Sequence, residues 1–324
     1  MKGKSIVLAV LFLTFGSGFA ALASAAEYPS RPLEIICPFS AGSDPDLMAR
    51  LIANVGSKHF RQPIVVVNKA GGAGAIAVGD VISSKPDGYK AVWESHAYFA
   101  TTIKTQKAPF NANDVIPLAN FYEMKQGLAV RGDGPFKTLD DLLEYGKKHP
   151  GELKWAHSGR GMIIHLSAML IFRKAGVSTI EVPYKGSSDA GVALLGGHVD
   201  AATLPVATVI EQVRAGKIRY LAVYSDKRYS DHPTVPTVVE LGFPQANLPS
   251  FWGLYIRKDT PAPVKNALTD MCKKLTEDPE LKKGIEKLGG VPRYGGPEFI
   301  TEAMKRGEDI GVPVLKELGL YVEK

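Results

Sequence analysis

Short apolar runs alternate with amphipathic helical patterns along most of the chain, and this order predicts βαβ units built into mostly parallel sheets. The first run, Leu33–Cys37, has the length of a buried strand. In the helical pattern that follows, Leu47, Leu51 and Val55 recur on one face. We expect Asp44 to be the N-cap of this helix, because its side chain can accept a backbone hydrogen bond there.

The same alternation continues through the rest of the chain and indicates an α/β protein. Further strands are predicted at residues 64–67, 91–93, 154–156, 180–183, 199–203 and 220–224. Helices are predicted at residues 162–174 and 190–195, and a helix after the glycine-rich segment 71–77 is expected to end near Ser84. Another helix starts at Thr138, with Asp141 in the position that completes a capping box.

Two short segments of similar sequence suggest how the chain is divided. Residues 127–131 read GLAVR and residues 253–257 read GLYIR. We interpret them as the strands by which the chain crosses into a second domain and returns. This predicts a discontinuous first lobe, residues 27–127 plus 253–324, a second lobe at residues 128–252, and a cleft between them of the kind that favours small ligands.

The N-terminus has the features of a secretory signal peptide. Lys2 and Lys4 supply the positive charge, residues 6–14 are apolar, and small residues follow up to an A-x-A pattern at 23–25. We predict cleavage near Ala25 or Ala26 and an exported mature protein. A retained membrane anchor is the alternative, although the apolar run is short for a bilayer span.

Composition excludes several classes of protein. A hydrophobic fraction of 45% excludes disorder along the whole chain. The net charge of +6 becomes +4 when Lys2 and Lys4 are removed with the leader, and its even spread does not predict nucleic-acid binding. The two cysteines, Cys37 and Cys272, are too few for a disulfide scaffold. They could pair after export, but two buried, unpaired thiols are the favoured interpretation.

Catalytic and cofactor motifs are weak in this sequence. Gly72, Gly74 and Ala77 follow a strand with the spacing of a dinucleotide-binding loop, but this strand is not the first one and the glycines lie too far from its end. Ser158 lies near His165, which leaves a nucleophile and base as a hypothesis. The seven histidines show no spacing typical of a metal site, so we predict no metal and no cofactor.

Several loops of small residues follow strands and precede helices. Such loops present unpaired backbone N–H groups at the positive end of a helix dipole. One loop of this kind is an ordinary helix cap. Several in one chain favour a receptor that binds a carboxylate without any catalytic residue.

The ordered set of these motifs resembles the periplasmic solute-binding proteins of tripartite tricarboxylate transporters, the Bug or TctC family. The segments that carry the resemblance are residues 28–32 (YPSRP), 38–50, 67–74, 86–89 (PDGY), 182–186 (VPYKG), 196–200 (GGHVD), 221–223 and 235–242. They span nearly the whole mature chain.

This resemblance implies a two-lobed flytrap fold of the type II periplasmic-binding-protein class. It implies a monomeric periplasmic protein that performs no chemistry, closes on a small organic acid and delivers it to the membrane permease subunits of a tripartite carrier. Dicarboxylates, tricarboxylates, aromatic carboxylates and amino acids all stay open as ligands. A secreted serine hydrolase that uses Ser158 and His165, and a ligand sensor for a signalling partner, are the alternative functions.

By position, the resemblance assigns ligand contacts to loops of both lobes. The first-lobe contacts are Phe39, Ser40, Gly42, Ser43, Ala73, Ser95 and His96. The second-lobe contacts are Ser158, Gly159, Arg160, Gly161, Tyr184, Gly186, Asp189 and Thr203.

Two residues near the expected carboxylate site bear on its charge. Asp44, where the family has a small residue, either caps the helix or receives an ammonium or hydroxyl group of the ligand, and its charge would oppose a carboxylate. Arg160 is the compensating candidate, since its planar fork suits a carboxylate, although it could instead face solvent.

Overall fold

The computed structural model describes residues 28–323 and contains two β-sheets with helices packed against them. The strands are β1 (Leu33–Cys37), β2 (Ile64–Asn68), β3 (Lys90–Ser95), β4 (Val115–Glu123), β5 (Gln126–Arg131), β6 (Leu153–His157), β7 (Thr179–Pro183), β8 (Ala201–Pro205), β9 (Ile218–Val223), β10 (Phe251–Arg257) and β11 (Val291–Gly295). The helices are α1 (Asp44–Phe60), α2 (Ala75–Ile82), α3 (His96–Ala100), α4 (Leu139–Lys148), α5 (Ile163–Lys174), α6 (Ser187–Leu195), α7 (Val206–Arg214), α8 (Ala262–Glu277), α9 (Pro279–Lys287) and α10 (Pro297–Glu317).

Each sheet forms the centre of one lobe. The first has the strand order β11-β4-β10-β3-β1-β2, and the second has the order β7-β6-β8-β5-β9. The α/β two-lobed fold predicted from the sequence is therefore confirmed. β4 leads directly into β5, and the chain returns to the first sheet at β10. The limits of the two lobes given above stay predictions.

The expectation of mostly parallel sheets is wrong. Among the described strands, β1 pairs parallel with β2 and β3, and β6 pairs parallel with β7 and β8. The remaining pairings, which involve β4, β5, β9, β10 and β11, are antiparallel. The reason is topological, because β4, β5 and β10 connect the lobes instead of closing a βαβ unit.

The local sequence signals place most elements within a few residues. Predicted strands at 64–67, 91–93, 154–156, 180–183 and 220–224 all fall on observed strands, while the strand expected at 199–203 runs over Ala201–Pro205. α6 begins at Ser187, before the predicted residue 190. At α4, Thr138 and Asp141 form the predicted capping box, in which each side chain accepts the other residue's backbone N–H.

Buried apolar side chains hold each sheet to its helices. Trp93 on β3 and Trp155 on β6 are fully buried in the large core cluster. Burying a side chain of this kind contributes on the order of 2 kcal/mol or more. Cys37 and Cys272 are both buried and unpaired, which confirms the favoured interpretation, and burial raises the pKa of each thiol to about 12.

The predicted leader, with its cleavage near Ala25 or Ala26, lies outside the described residues. Within residues 28–323, no helix combines the length and the apolar character that a bilayer span requires.

Candidate ligand-binding cleft

The two lobes meet around a small inner cavity. Its lining comes from both sheets and their following helices, namely Phe39, Pro45, Ser95, Ala97, Met124, Gln126, Ser158, Met162, Ile163, Ile164, Ser187, Pro205, Ser250 and Trp252. The cavity volume is about 20 Å³, which is room for one or two water molecules. The polar residues of this lining are Gln126 and four serines, Ser95, Ser158, Ser187 and Ser250. None of the lining residues is charged.

Helix N-termini surround this inner cavity. Pro45 lies in the first turn of α1, Ile163 begins α5, Ser187 begins α6, and Pro205 is the N-cap of α7. All four residues line the cavity. Each helix leaves backbone N–H groups without an intrahelical partner at this end and carries a partial positive charge there. Four helix ends thus contribute partial positive charge beside the cavity, and no cationic side chain lines it.

An outer cleft of about 430 Å³ opens beside the inner cavity. Its lining is Pro38, Phe39, Gly71, Gly72, Ala73, Thr105, Gln106, Ser158, Gly159, Arg160, Pro183, Tyr184 and Lys185. Phe39 and Ser158 line both spaces, so they separate the inner cavity from the outer cleft. The cationic side chains, Arg160 and Lys185, lie in the outer part alone.

The first-lobe loop, which we define as residues 39–46, is held by the buried carboxylate of Asp46. Asp46 accepts the backbone N–H of Gly42 at 2.9 Å, the Arg50 guanidinium at 3.1 Å and the Asn68 side-chain amide at 2.8 Å. Asn68 also donates to the Phe39 carbonyl at 3.0 Å. Burial raises the pKa of Asp46, but these hydrogen bonds outweigh it and lower the pKa below its usual value. The loop therefore keeps a charged acceptor at neutral pH.

The second-lobe loop, residues 157–161, is held by two buried imidazoles. The backbone N–H of Gly159 donates to Nδ1 of His157, and that of Gly161 donates to Nδ1 of His165, each at 3.2 Å. Nε2 of His165 then lies 2.8 Å from Oε2 of Glu181 on β7. Burial lowers the pKa of His157 to about 4 and holds that of His165 well below its usual range, so both rings are neutral at pH 7.

Direct hydrogen bonds join the loops of the two lobes across the cleft. Ser40 Oγ lies 3.2 Å from Oγ of Ser188 and donates to Asp189 at 3.2 Å. The backbone N–H of Asp44 donates to Thr208 Oγ1 at 3.0 Å. A Cβ at Gly186 would lie 2.2 Å from Ser40 Oγ, so a larger residue there would displace the Ser40 hydroxyl from this contact.

The residues assigned by resemblance fall into three groups. Phe39, Ser95 and Ser158 line the inner cavity, and Ala73, Gly159, Arg160 and Tyr184 line the outer cleft. Ser40, Asp44, Gly161, Gly186 and Asp189 form the contact between the lobes. The remaining residues line neither the inner cavity nor the outer cleft: Gly42, Ser43, His96 and Thr203.

The prediction that Asp44 caps α1 is wrong. Ser43 is the N-cap residue, and Asp44 is the first residue of the helix. The Asp44 carboxyl group is buried and accepts a short hydrogen bond from the Tyr122 hydroxyl. Burial raises the pKa of Asp44 to about 7, against the Tyr122 hydrogen bond, which lowers it. The side chain points to β4 instead of its own helix N-terminus, because Tyr122 supplies a donor there.

Arg160 is engaged by Glu181 on the rim of the outer cleft. Its guanidinium forms a close ion pair with Oε1 of Glu181, and its side chain is 58% exposed. Arg160 therefore lies outside the inner cavity, and its charge is compensated within its own lobe. Helix ends border the inner cavity, and this arginine does not line it.

Ser158 and His165 are not arranged as a nucleophile and base. Ser158 Oγ lies 4.0 Å from the Met162 sulfur, and the two nitrogens of His165 face the Gly161 N–H and Glu181. A base must offer a nitrogen within hydrogen-bond reach of the hydroxyl. The sequence suggested this pair only because the two residues lie near each other in the chain.

Sequence reasoning missed much of the inner lining. Gln126, Ser250 and Trp252 lie at the ends of the connecting strands, and Met124 lies between β4 and β5. The similar segments GLAVR and GLYIR indicated where the chain passes between the lobes. The residues just before these segments could therefore have been predicted as lining residues. Ser187 followed directly on the predicted contact Gly186.

The chain matches the family model described as the tripartite tricarboxylate transporter family receptor over residues 48–310. Among curated proteins, it is 31% identical to a Cupriavidus necator protein encoded in the gbd 5′ region, covering 95% of this chain and 94% of that protein.

Several solved structures are also similar to this chain. The periplasmic binding protein BugD is 27% identical with a TM-score of 0.85, covering 91% of this chain and 100% of that chain. An R. palustris protein solved with adipate has 27% identity, a TM-score of 0.85, and coverage of 90% and 98%. MatC from Rhodopseudomonas palustris, solved with malate, has 26% identity, a TM-score of 0.79, and coverage of 88% and 100%.

Proposed function

This chain belongs to the tripartite tricarboxylate transporter receptor family, and we propose that it is a periplasmic solute-binding protein that captures a small organic carboxylate between its lobes and delivers it to the membrane subunits of a tripartite carrier. The relatives solved with adipate and malate support a carboxylate as the ligand. The family model supports the membrane partner.

One observation from this chain carries the proposal. The first turns of α1, α5, α6 and α7 converge on an inner cavity whose lining contains no charged side chain. A carboxylate placed there receives backbone N–H groups and helix dipoles, and no charged side chain lines the cavity. Serine hydroxyls supply further donors, and Phe39 and Trp252 supply an apolar surface for the carbon skeleton.

Solute entry requires the lobes to separate. A cavity of about 20 Å³ is smaller than any organic acid, and Ser40–Asp189 and Asp44–Thr208 hydrogen bonds close the cleft beside it. These bonds are few and polar, and water can replace them when the lobes part. Met124 and Met162 in the lining are flexible enough to rearrange around a bound solute.

The test is a thermal-shift screen of protein refolded from denaturant to remove bound solute. The panel contains C4 to C6 dicarboxylates, tricarboxylates, aromatic carboxylates and amino acids. At about 100 times its Kd, a ligand adds about 2.7 kcal/mol to the free energy of unfolding, which raises Tm by several degrees. Ser158→Ala should weaken the hit, and Ser84→Ala, on a distant surface turn, should not.

A hit among the carboxylates supports the proposal. A cooperatively melting sample that responds to no carboxylate would contradict the ligand class. Loss of solute uptake by cells that lack the protein, restored by the wild-type protein and not by a binding-deficient variant, tests delivery to the carrier.

A further inference from the structure

A cluster of two histidines and one glutamate lies behind the second-lobe loop, outside both parts of the cleft. His157 ends β6, His165 lies in the first turn of α5, and Glu181 lies on β7. Their ligating atoms all lie within 4.8 Å of one another. Glu181 Oε2 is 2.8 Å from Nε2 of His165 and 3.7 Å from Nε2 of His157.

The His157 ring shows that this cluster is not satisfied by its own hydrogen bonds. His157 is fully buried, and its Nε2 has no hydrogen-bond partner among the residues that the structure describes. The Nε2 atom nevertheless points toward Glu181. A buried, unpartnered polar atom costs free energy, and this Nε2 lies beside two other groups that can bind a metal ion.

We propose that His157, His165 and Glu181 bind a zinc-type divalent cation through two Nε2 atoms and Oε2. Two imidazoles and one carboxylate are a ligand set that zinc accepts, with water in the fourth position. Bond lengths of about 2.0–2.1 Å in a tetrahedron place ligand atoms about 3.3 Å apart. The observed 2.8 and 3.7 Å bracket this value, and all three ligand atoms lie within 4.8 Å of one another, so shifts of up to about 1.5 Å complete the site.

Metal binding at this site changes what holds the second-lobe loop. A ring that binds metal through Nε2 carries its proton on Nδ1, and such an Nδ1 cannot accept a hydrogen bond. The backbone N–H groups of Gly159 and Gly161 then lose their acceptors. Because this loop lines the cleft, the cation and the solute are coupled, and each should weaken the binding of the other.

Arg160 must also move when the cation binds. Its guanidinium pairs with Oε1 of Glu181, next to the position that the cation would take. The side chain is more than half exposed, so it can turn into solvent at little cost. Entry of the cation follows the same route, because Glu181 is the partly exposed member of the cluster.

The test is calorimetric titration of the chelator-treated protein with zinc chloride alone. We expect one cation per chain. Glu181→Gln and His157→Gln should each weaken binding by about tenfold or more, since even the loss of a residue that only orients a zinc ligand costs about 10–100-fold. The matched control is His149→Gln, which alters an exposed histidine 3.6 Å from Glu152 and should leave binding unchanged.

A second readout reports on the rings without any solute. Long-range ¹H–¹⁵N spectra of the imidazoles should show the proton on Nε2 of His157 and His165 before zinc, and on Nδ1 afterwards. Circular dichroism confirms that each variant is folded, and Glu181→Gln is the variant least disruptive to packing.

The absence of stoichiometric zinc binding would overturn the proposal, as would binding that all three variants leave equal. Binding without the change of tautomer would overturn the coupling to the loop. None of these outcomes depends on whether the cleft binds a carboxylate, so failure here and failure of the proposed function are distinguishable.

Discussion

The first-lobe and second-lobe loops face each other across the same cleft but are held by different chemistry. In the first-lobe loop, Asp46 accepts from Gly42, Arg50 and Asn68, and its pKa is lowered. In the second-lobe loop, neutral imidazoles accept the backbone N–H groups. A carboxylate is an acceptor at every physiological pH, whereas an imidazole nitrogen is an acceptor in one tautomer only. The first-lobe loop therefore keeps its hydrogen-bond acceptor at every physiological pH. The second-lobe loop keeps its acceptors only while both imidazoles stay in the tautomer with an unprotonated Nδ1.

Replacing Asp46, which holds the first-lobe loop, gives the largest expected effect on the free energy of unfolding. Asp46→Ala leaves the Gly42 N–H and the Asn68 amide without their acceptor in a buried site. We expect the free energy of unfolding to fall by about 2–3 kcal/mol, since hydrogen bonds to a charged group contribute about 1.5–3 kcal/mol. Urea denaturation at pH 7 measures this change.

The matched control for this variant is Asp133→Ala, which removes an exposed carboxylate paired with Arg131. Its cost should be much smaller than that of Asp46→Ala, because an exposed ion pair contributes little to stability. Equal costs for the two variants would contradict the claim that Asp46 fixes the loop.

Asp44 sharpens the comparison, because it lies two residues from Asp46 and has its pKa shifted in the opposite direction. Burial raises the pKa of Asp44 from 3.8 to about 7, so the folded protein binds the extra proton over this window. Stability should therefore fall as pH rises from about 4 to 7. Asp44→Asn removes this loss and should stabilise the protein at pH 8 by on the order of 1–3 kcal/mol, with little change at pH 4.

The groups that face Asp44 are uncharged at these pH values. Tyr122 on β4 donates to the carboxyl group, and burial holds the pKa values of Tyr122 and Tyr220 well above the usual range. Thermal melting between pH 4 and 8 follows the effect. If the stability of Asp44→Asn depends on pH in the same way as that of the wild-type protein, a group other than Asp44 controls this dependence.

Arg160 gives the smallest expected effect. Its charge is paired with Glu181 on the rim of the outer cleft, away from the inner cavity. Arg160→Ala should change the Kd of the carboxylate ligand by less than about fivefold, because an exposed ion pair contributes about 0–1 kcal/mol. Calorimetry measures this change with Lys185→Ala as the comparison. A loss of 100-fold or more would restore Arg160 as the principal carboxylate ligand.

The sequence predicted correctly those structural features whose partners lie close together in the chain. The capping box at Thr138 and Asp141 formed as expected, because both partners lie within one turn. Asp44 was misassigned because its partner, Tyr122, comes from a distant strand. The cluster of His157, His165 and Glu181 was invisible for the same reason, since β7 brings Glu181 to the two histidines only in the folded sheet.

The cavity lining shows the same division. The family resemblance assigned Phe39, Ser95 and Ser158 as ligand contacts, and all three line the inner cavity. Gln126, Ser250 and Trp252 line the cavity because the connecting strands pass beneath it, which is a property of the lobe arrangement and leaves no local motif.

The central claim is that helix N-termini, and not a cationic side chain, bind a carboxylate in the inner cavity. The most direct measurement is calorimetric comparison of the best carboxylate ligand with its primary amide on the same refolded protein. Four helix ends at about 0.3–1 kcal/mol each predict that the carboxylate binds about tenfold or more tightly. Equal affinities, or tighter binding of the amide, would contradict the account.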